Sequence, residues 1–152
     1  MKIVLPLDQT SVPEIEFEHS AILIIVNKTM DAAASVYEAV RCAWKLDPKR
    51  AAACDLVMAV YQRIVIGVFI AERWIPATVA TFPTMKAEVP KRWGFVGREA
   101  PAEIGRLYLM RRVPDAMRPK GAANPIMYSH PGGKRLLPVT PRPSPRAGRR
   151  GG

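Results

Sequence analysis

The residues of this chain best equipped for chemistry are arginines set beside tryptophan or tyrosine. Tyr37, Arg41 and Trp44 stand four and three positions apart, the spacing of one helix face. Arg63 lies between two apolar runs, and Arg73-Trp74 and Arg92-Trp93 follow. Later come Arg106 with Tyr108, and the segment 120–128 with Lys120, Asn124 and Tyr128. Aromatic planes stack on nucleobases, and guanidinium both stacks and grips phosphate in bidentate fashion. Asn124 brings an amide able to read a base edge. The expected binding set is therefore Tyr37, Arg41, Trp44, Arg63, Trp74, Arg92, Trp93, Lys120, Asn124 and Tyr128. The same aromatics also suit a core, where large rings bury much apolar area. A buried Arg41 would then need a partner, with Glu38, Asp55 or a ligand phosphate as the candidates.

Catalytic patterns are sparse. His19 and His130 are the two histidines and lie far apart, which gives a conventional metal site little to work with. Glu14, Glu16 and Glu18 beside His19 could ligate a divalent cation through oxygen, the basis for a metal-dependent nuclease as an alternative function, or could form a solvated strand face. Phosphate-loop, dinucleotide and nucleophile-elbow motifs are lacking. Cys42 beside Arg41 has a possible route to a lowered pKa, against the commoner use of a free cysteine as a small core residue. The balance favours a binding protein over an enzyme, with no cofactor and no metal.

These residues need elements to hold them. Lys2–Leu5 and Ile15–Glu18 read as short strands, and Ala21–Val26, apolar on both faces, reads as a buried one. Asp31 opens a helix predicted to run to Trp44. Asp47-Pro48 starts a short alanine-rich helix ending near Cys54. Leu56–Tyr61 and Ile64–Ile70, separated by Gln62-Arg63, predict a tight hairpin without the usual Asn or Gly. Thr78–Phe82 is a further candidate strand. The run 92–97 is a strand whose two glycines suggest a bulge or a close backbone approach. Pro101 starts a helix with Ile104, Leu107 and Tyr108 inward, and Ile126–Tyr128 is a last strand. Strands and helices do not alternate regularly. The expected class is α+β: a curved, mostly antiparallel sheet or small β-barrel with two or three flanking helices.

The 152 residues suit one domain, and 49% are apolar, so a substantial core is available. The net charge of +10 is unevenly placed: residues 1–85 carry −1, 86–120 carry +5 and 121–152 carry +6. Prolines and glycines make up 10 of the 22 residues in 131–152. The division is a globular domain over 1–130 and a flexible basic tail over 131–152. Lys134, Arg135, Arg142, Arg146, Arg149 and Arg150 in that tail suit non-specific phosphate contact. Its proline clusters would alternatively suit a protein partner. The N-terminal apolar run is too short for a signal peptide, and Leu56–Ala71 is too short and too interrupted to span a bilayer. A cytoplasmic protein with no membrane partner is expected.

Arg41-Cys42-Ala43-Trp44, the run 53–61, and Ile64–Phe69 leading to Trp74 together resemble the PUA-like superfamily, including its EVE- and ASCH-type members, over residues 20–75. That resemblance implies a small curved β-barrel with flanking helices that binds RNA or modified nucleobases. The segments 92–97 and 121–128 are also similar to small prokaryotic and phage proteins carrying the same Tyr-x-x-x-Arg-x-x-Trp pattern, a likeness that implies no function. Charge, aromatics and resemblance point to a nucleic-acid-binding module, with a nucleotide-sequestering protein as an alternative. A subunit of a larger ribonucleoprotein is a further reading.

Overall fold

The computed structural model describes residues 5, 11–117 and 124–129. Its centre is a five-stranded mixed sheet in the order β4-β3-β2-β1-β5. The strands are β1 (Ala21–Ile25), β2 (Leu56–Tyr61), β3 (Ile64–Pro76), β4 (Trp93–Glu99) and β5 (Ile126–Ser129). Three short helices accompany them: α1 (Val36–Val40), α2 (Pro48–Ala52) and α3 (Ala102–Tyr108). β1 and β2 are parallel, joined by a crossover carrying α1 and α2, and the other three pairings are antiparallel. The α+β class is as expected. The sheet is open, with β4 and β5 as its edges, and does not close into a barrel.

The central strands are apolar on both sides because both faces of the sheet are covered. One core joins Ile22, Ile24, Val57, Ala59 and Phe69 to residues from α1, α2 and the segment beyond α1. The other joins Leu23, Leu56, Met58, Val68 and Ile70 to Tyr108 of α3, Ile15 and Val113. A register shift between Ala71 and Arg73 sets which side chains of β3 face which core. Strict alternation from Ala71 would turn Arg73 inward; the extra residue puts Trp74 against the first core instead.

The predicted hairpin forms, and Gln62 and Arg63 supply its turn with φ of 48° and 73°. Both are in the left-handed region that a type I′ turn requires. The predicted short helix α2 also forms, capped by the Asp47 carboxylate accepting from Lys49 N–H at 2.9 Å, with Pro48 in its first turn.

The helix expected over 31–44 is cut at both ends. Asp31 lies in a 3-10 turn, and α1 starts only at Ser35, whose hydroxyl accepts from Glu38 N–H at 3.1 Å. Beyond Val40 the backbone is taken by the edge of the sheet. The outward N–H groups of β4 at Trp93, Phe95 and Gly97 donate to Trp44 O, Arg41 O and the Tyr37 hydroxyl, at 2.8, 2.8 and 3.1 Å. Pairing of this kind covers an edge otherwise open to aggregation, and a helix through residues 41–44 would forfeit it. Gly94 permits the close approach: a Cβ there would stand 2.7 Å from Arg41 O and 2.6 Å from the Phe82 ring.

Two further expected strands are not strands. Residues 15–18 instead cross the second core without joining the sheet: Glu14 makes an isolated bridge to Arg112, Ile15 and Phe17 pack on that core, and Glu18 N–H donates to the Tyr108 hydroxyl. Thr78–Phe82 is a turn closed by Phe82 N–H to Thr78 O at 2.8 Å, and it drives the fully buried Phe82 ring against Gly94. The expected strand at Lys2–Leu5 falls almost wholly outside the described residues. Among the described residues, no helix is long and apolar enough to cross a membrane.

Candidate functional site

The pairing of residues 41–44 with β4 has a consequence at its open end. The chain leaving Trp44 is held beside Arg92, the residue that precedes β4. Asn124 and Pro125, which lead into β5, complete a cleft of about 550 Å³ lined by Ala43, Trp44, Lys45, Arg92, Asn124 and Pro125. Three residues selected from sequence, Trp44, Arg92 and Asn124, therefore meet. The volume lies within the ~300–1,000 Å³ of typical ligand pockets.

Among the described residues the lining contains two cations and no carboxylate. Neither Lys45 nor Arg92 has an ion-pair partner among the described residues. Trp44 forms an apolar wall and is itself only 8% exposed, its indole N–H donating to Val40 O at 2.7 Å. Asn124 is fixed by its side-chain oxygen, which accepts from Ile126 N–H at 3.0 Å. The arrangement offers two cations to an anionic group and an apolar wall beside them.

Other selected residues are committed to the fold. Tyr37 packs between Phe69 and Phe95 at 5.6 and 5.7 Å between ring centroids, and its hydroxyl caps Gly97. Arg41 does not share a helix face with Trp44, since α1 has already ended. Its side chain is 16% exposed, pairs with Glu38 at 3.0 Å and lies over the Tyr37 and Phe82 rings. Glu38 is thus the partner that a buried Arg41 required. Asp55 instead accepts from Ser20 N–H, while Ser20 Oγ accepts from Asp55 N–H at 2.8 Å. Trp74 packs on Phe95 at 5.1 Å, its buried indole N–H without a hydrogen-bond partner among the described residues.

Arg63 stands at the hairpin turn and pairs with Asp115, which also meets Arg112 at 3.5 Å. Trp93 exchanges backbone hydrogen bonds with Trp44. Tyr128 lies under the guanidinium of Arg50, a residue that the sequence did not single out. Lys120 and the tail cations Lys134, Arg135, Arg142, Arg146, Arg149 and Arg150 lie outside the described residues.

The acidic alternative gains no geometry. Glu14 is bound by Arg112 at 3.1 Å, and among the described residues no group of three or more His, Cys, Asp or Glu side chains is placed to hold a metal ion. The Cys42 thiol is pushed up from its ordinary pKa by burial, with Arg41 opposing the shift only in part. A thiol held protonated in this way is a poor nucleophile. Comparison with protein-family models, curated proteins and solved structures gave no match.

Proposed function

We propose that the protein binds nucleic acid, taking one nucleotide unit into the cleft of Trp44, Lys45, Arg92 and Asn124. The convergence of these four side chains on a concavity without a carboxylate carries the reading. Lys45 and Arg92 face the phosphate, the Trp44 wall meets the base or sugar, and Asn124 contributes polar contact. The +6 of residues 121–152 adds non-specific phosphate attraction. RNA or a modified base is the preferred class, in line with the resemblance of residues 20–75 to PUA-like domains. A free nucleotide is the second reading, favoured by a cleft sized for one such unit.

Binding of single-stranded RNA measured against salt concentration tests the proposal. The double variant K45A/R92A is expected to bind at least ~10-fold more weakly, with a salt slope shallower by about 1.4 for two lost phosphate contacts. Neutralising the six tail cations to Gln should flatten the slope further while leaving the cleft's contribution in place. RNA binding that is undetectable, or equal in wild type and K45A/R92A, contradicts the proposal. Binding confined to free nucleotides selects the second reading.

A further inference from the structure

Arg50 is exposed on α2, and its guanidinium carbon lies 3.8 Å from the centroid of the Tyr128 ring. At that distance the cation lies over the ring face, while the residue itself remains exposed. Arg50 has no ion-pair partner among the described residues. Burial pushes the Tyr128 phenol above its ordinary pKa, with Arg50 opposing, so the ring under the guanidinium is neutral at physiological pH.

The position of this stack relative to the cleft follows from the strand. Asn124, Ile126 and Tyr128 are two residues apart, so they address the same side of β5 and its approach. Ile126 and Tyr128 both pack on the first core, the one that contains Trp44. Asn124 lines the cleft. Tyr128 is four residues further along an extended chain, roughly 13 Å away. Cations and an aromatic stand at both ends of that span, Lys45 and Arg92 with Trp44 in the cleft lining and Arg50 over Tyr128. Residues 124–128 between them carry no acid, and Asp47 at the start of α2 is the carboxylate that acts on Tyr128.

We infer that Arg50, placed over the Tyr128 ring, is a second phosphate-binding group, and that the ligand is a single-stranded nucleic acid running from the cleft along β5 toward α2. A single strand fits because a base entering the cleft must be unpaired. This inference rests on the nucleic-acid reading of the cleft and adds the length and the path of the ligand.

The test uses the intact protein with two probes, uridine 5′-monophosphate and a five-nucleotide oligouridylate. Arg50→Ala keeps a good helix former on an exposed position, so the fold is retained. It should weaken the pentanucleotide about tenfold and reduce its salt slope by about 0.7, the value of one single-strand phosphate contact. Affinity for the mononucleotide should not change. If R50A leaves the pentanucleotide unaffected while K45A/R92A weakens both probes, the inference falls and the cleft stands. If neither probe binds the wild-type protein, both fall.

Discussion

Tyr108 shows how a polar atom is accommodated inside the second core. The residue is fully buried, and its hydroxyl accepts from Glu18 N–H at 2.9 Å and meets His19 Nδ1 at 2.8 Å. In the tautomer of His19 that carries its proton on Nε2, the hydroxyl donates to Nδ1, and both ends of the group are satisfied. Burial is the largest influence on the phenol and raises its pKa. The folded value then exceeds the unfolded one, so between the two the unfolded chain has released a proton that the folded chain retains. Stability should therefore fall as pH rises above ~10. Tyr108→Phe should cost about 1–2 kcal/mol at neutral pH by orphaning Glu18 N–H, and should make the alkaline decline shallower. Urea titrations at a series of pH values would show both effects; an identical alkaline decline in the two proteins would contradict the assignment. Tyr128 and Cys42 are shifted in the same direction, so the difference between wild type and variant is the quantity to read.

At the scale of elements, the hairpin between β2 and β3 was readable from two apolar runs with a two-residue gap, although neither turn residue is the usual choice. Gln62 and Arg63 hold left-handed conformations that cost side-chain-bearing residues ~1–2 kcal/mol each. The Arg63–Asp115 pair is exposed and offsets at most ~1 kcal/mol of this. The double substitution Gln62→Asn, Arg63→Gly should thus stabilise the protein by about 1 kcal/mol, seen as a higher urea midpoint with an unchanged slope. A lower midpoint would show that the Arg63 ion pair outweighs the turn. The caps of α2 and the close approach at Gly94 were equally legible, since Asp-Pro and a glycine within a strand are local signals. The length of α1 was not. Its apolar spacing continues through Trp44, but the backbone of residues 41–44 is claimed by β4, a partner some fifty positions away in the chain. Trp74 likewise owes its inward face to a register shift, which the alternation of β3 alone conceals.

At the scale of the whole molecule, the residue types of the candidate site were legible but their grouping was not. Trp44, Arg92 and Asn124 stood out by chemistry, and the fold brings them together. Tyr37, Arg41 and Trp74 stood out on the same grounds and are spent on the core and the edge of the sheet, because a stacking aromatic and a core aromatic are the same residue. Lys45 and Arg50 gave no signal of their own; their relevance comes from the approach of β5 to the segment that leaves α1. The candidate site draws on both halves of the unevenly charged chain. The first 85 residues carry −1 and supply most of the sheet together with Trp44, Lys45 and Arg50, whereas Arg92 and Asn124 belong to the basic remainder. The central claim is that nucleic acid occupies this cleft. The most direct measurement is a titration of the isotope-labelled protein with single-stranded RNA, followed by backbone and side-chain amide chemical shifts. With nucleic acid in the cleft, the largest early shifts are expected on Lys45, Arg92 and the Asn124 amide, with Arg50 following when the strand is long enough. Shifts centred on the exposed Leu109 and Met110 beyond α3, or no shifts among the cleft residues, would contradict that claim.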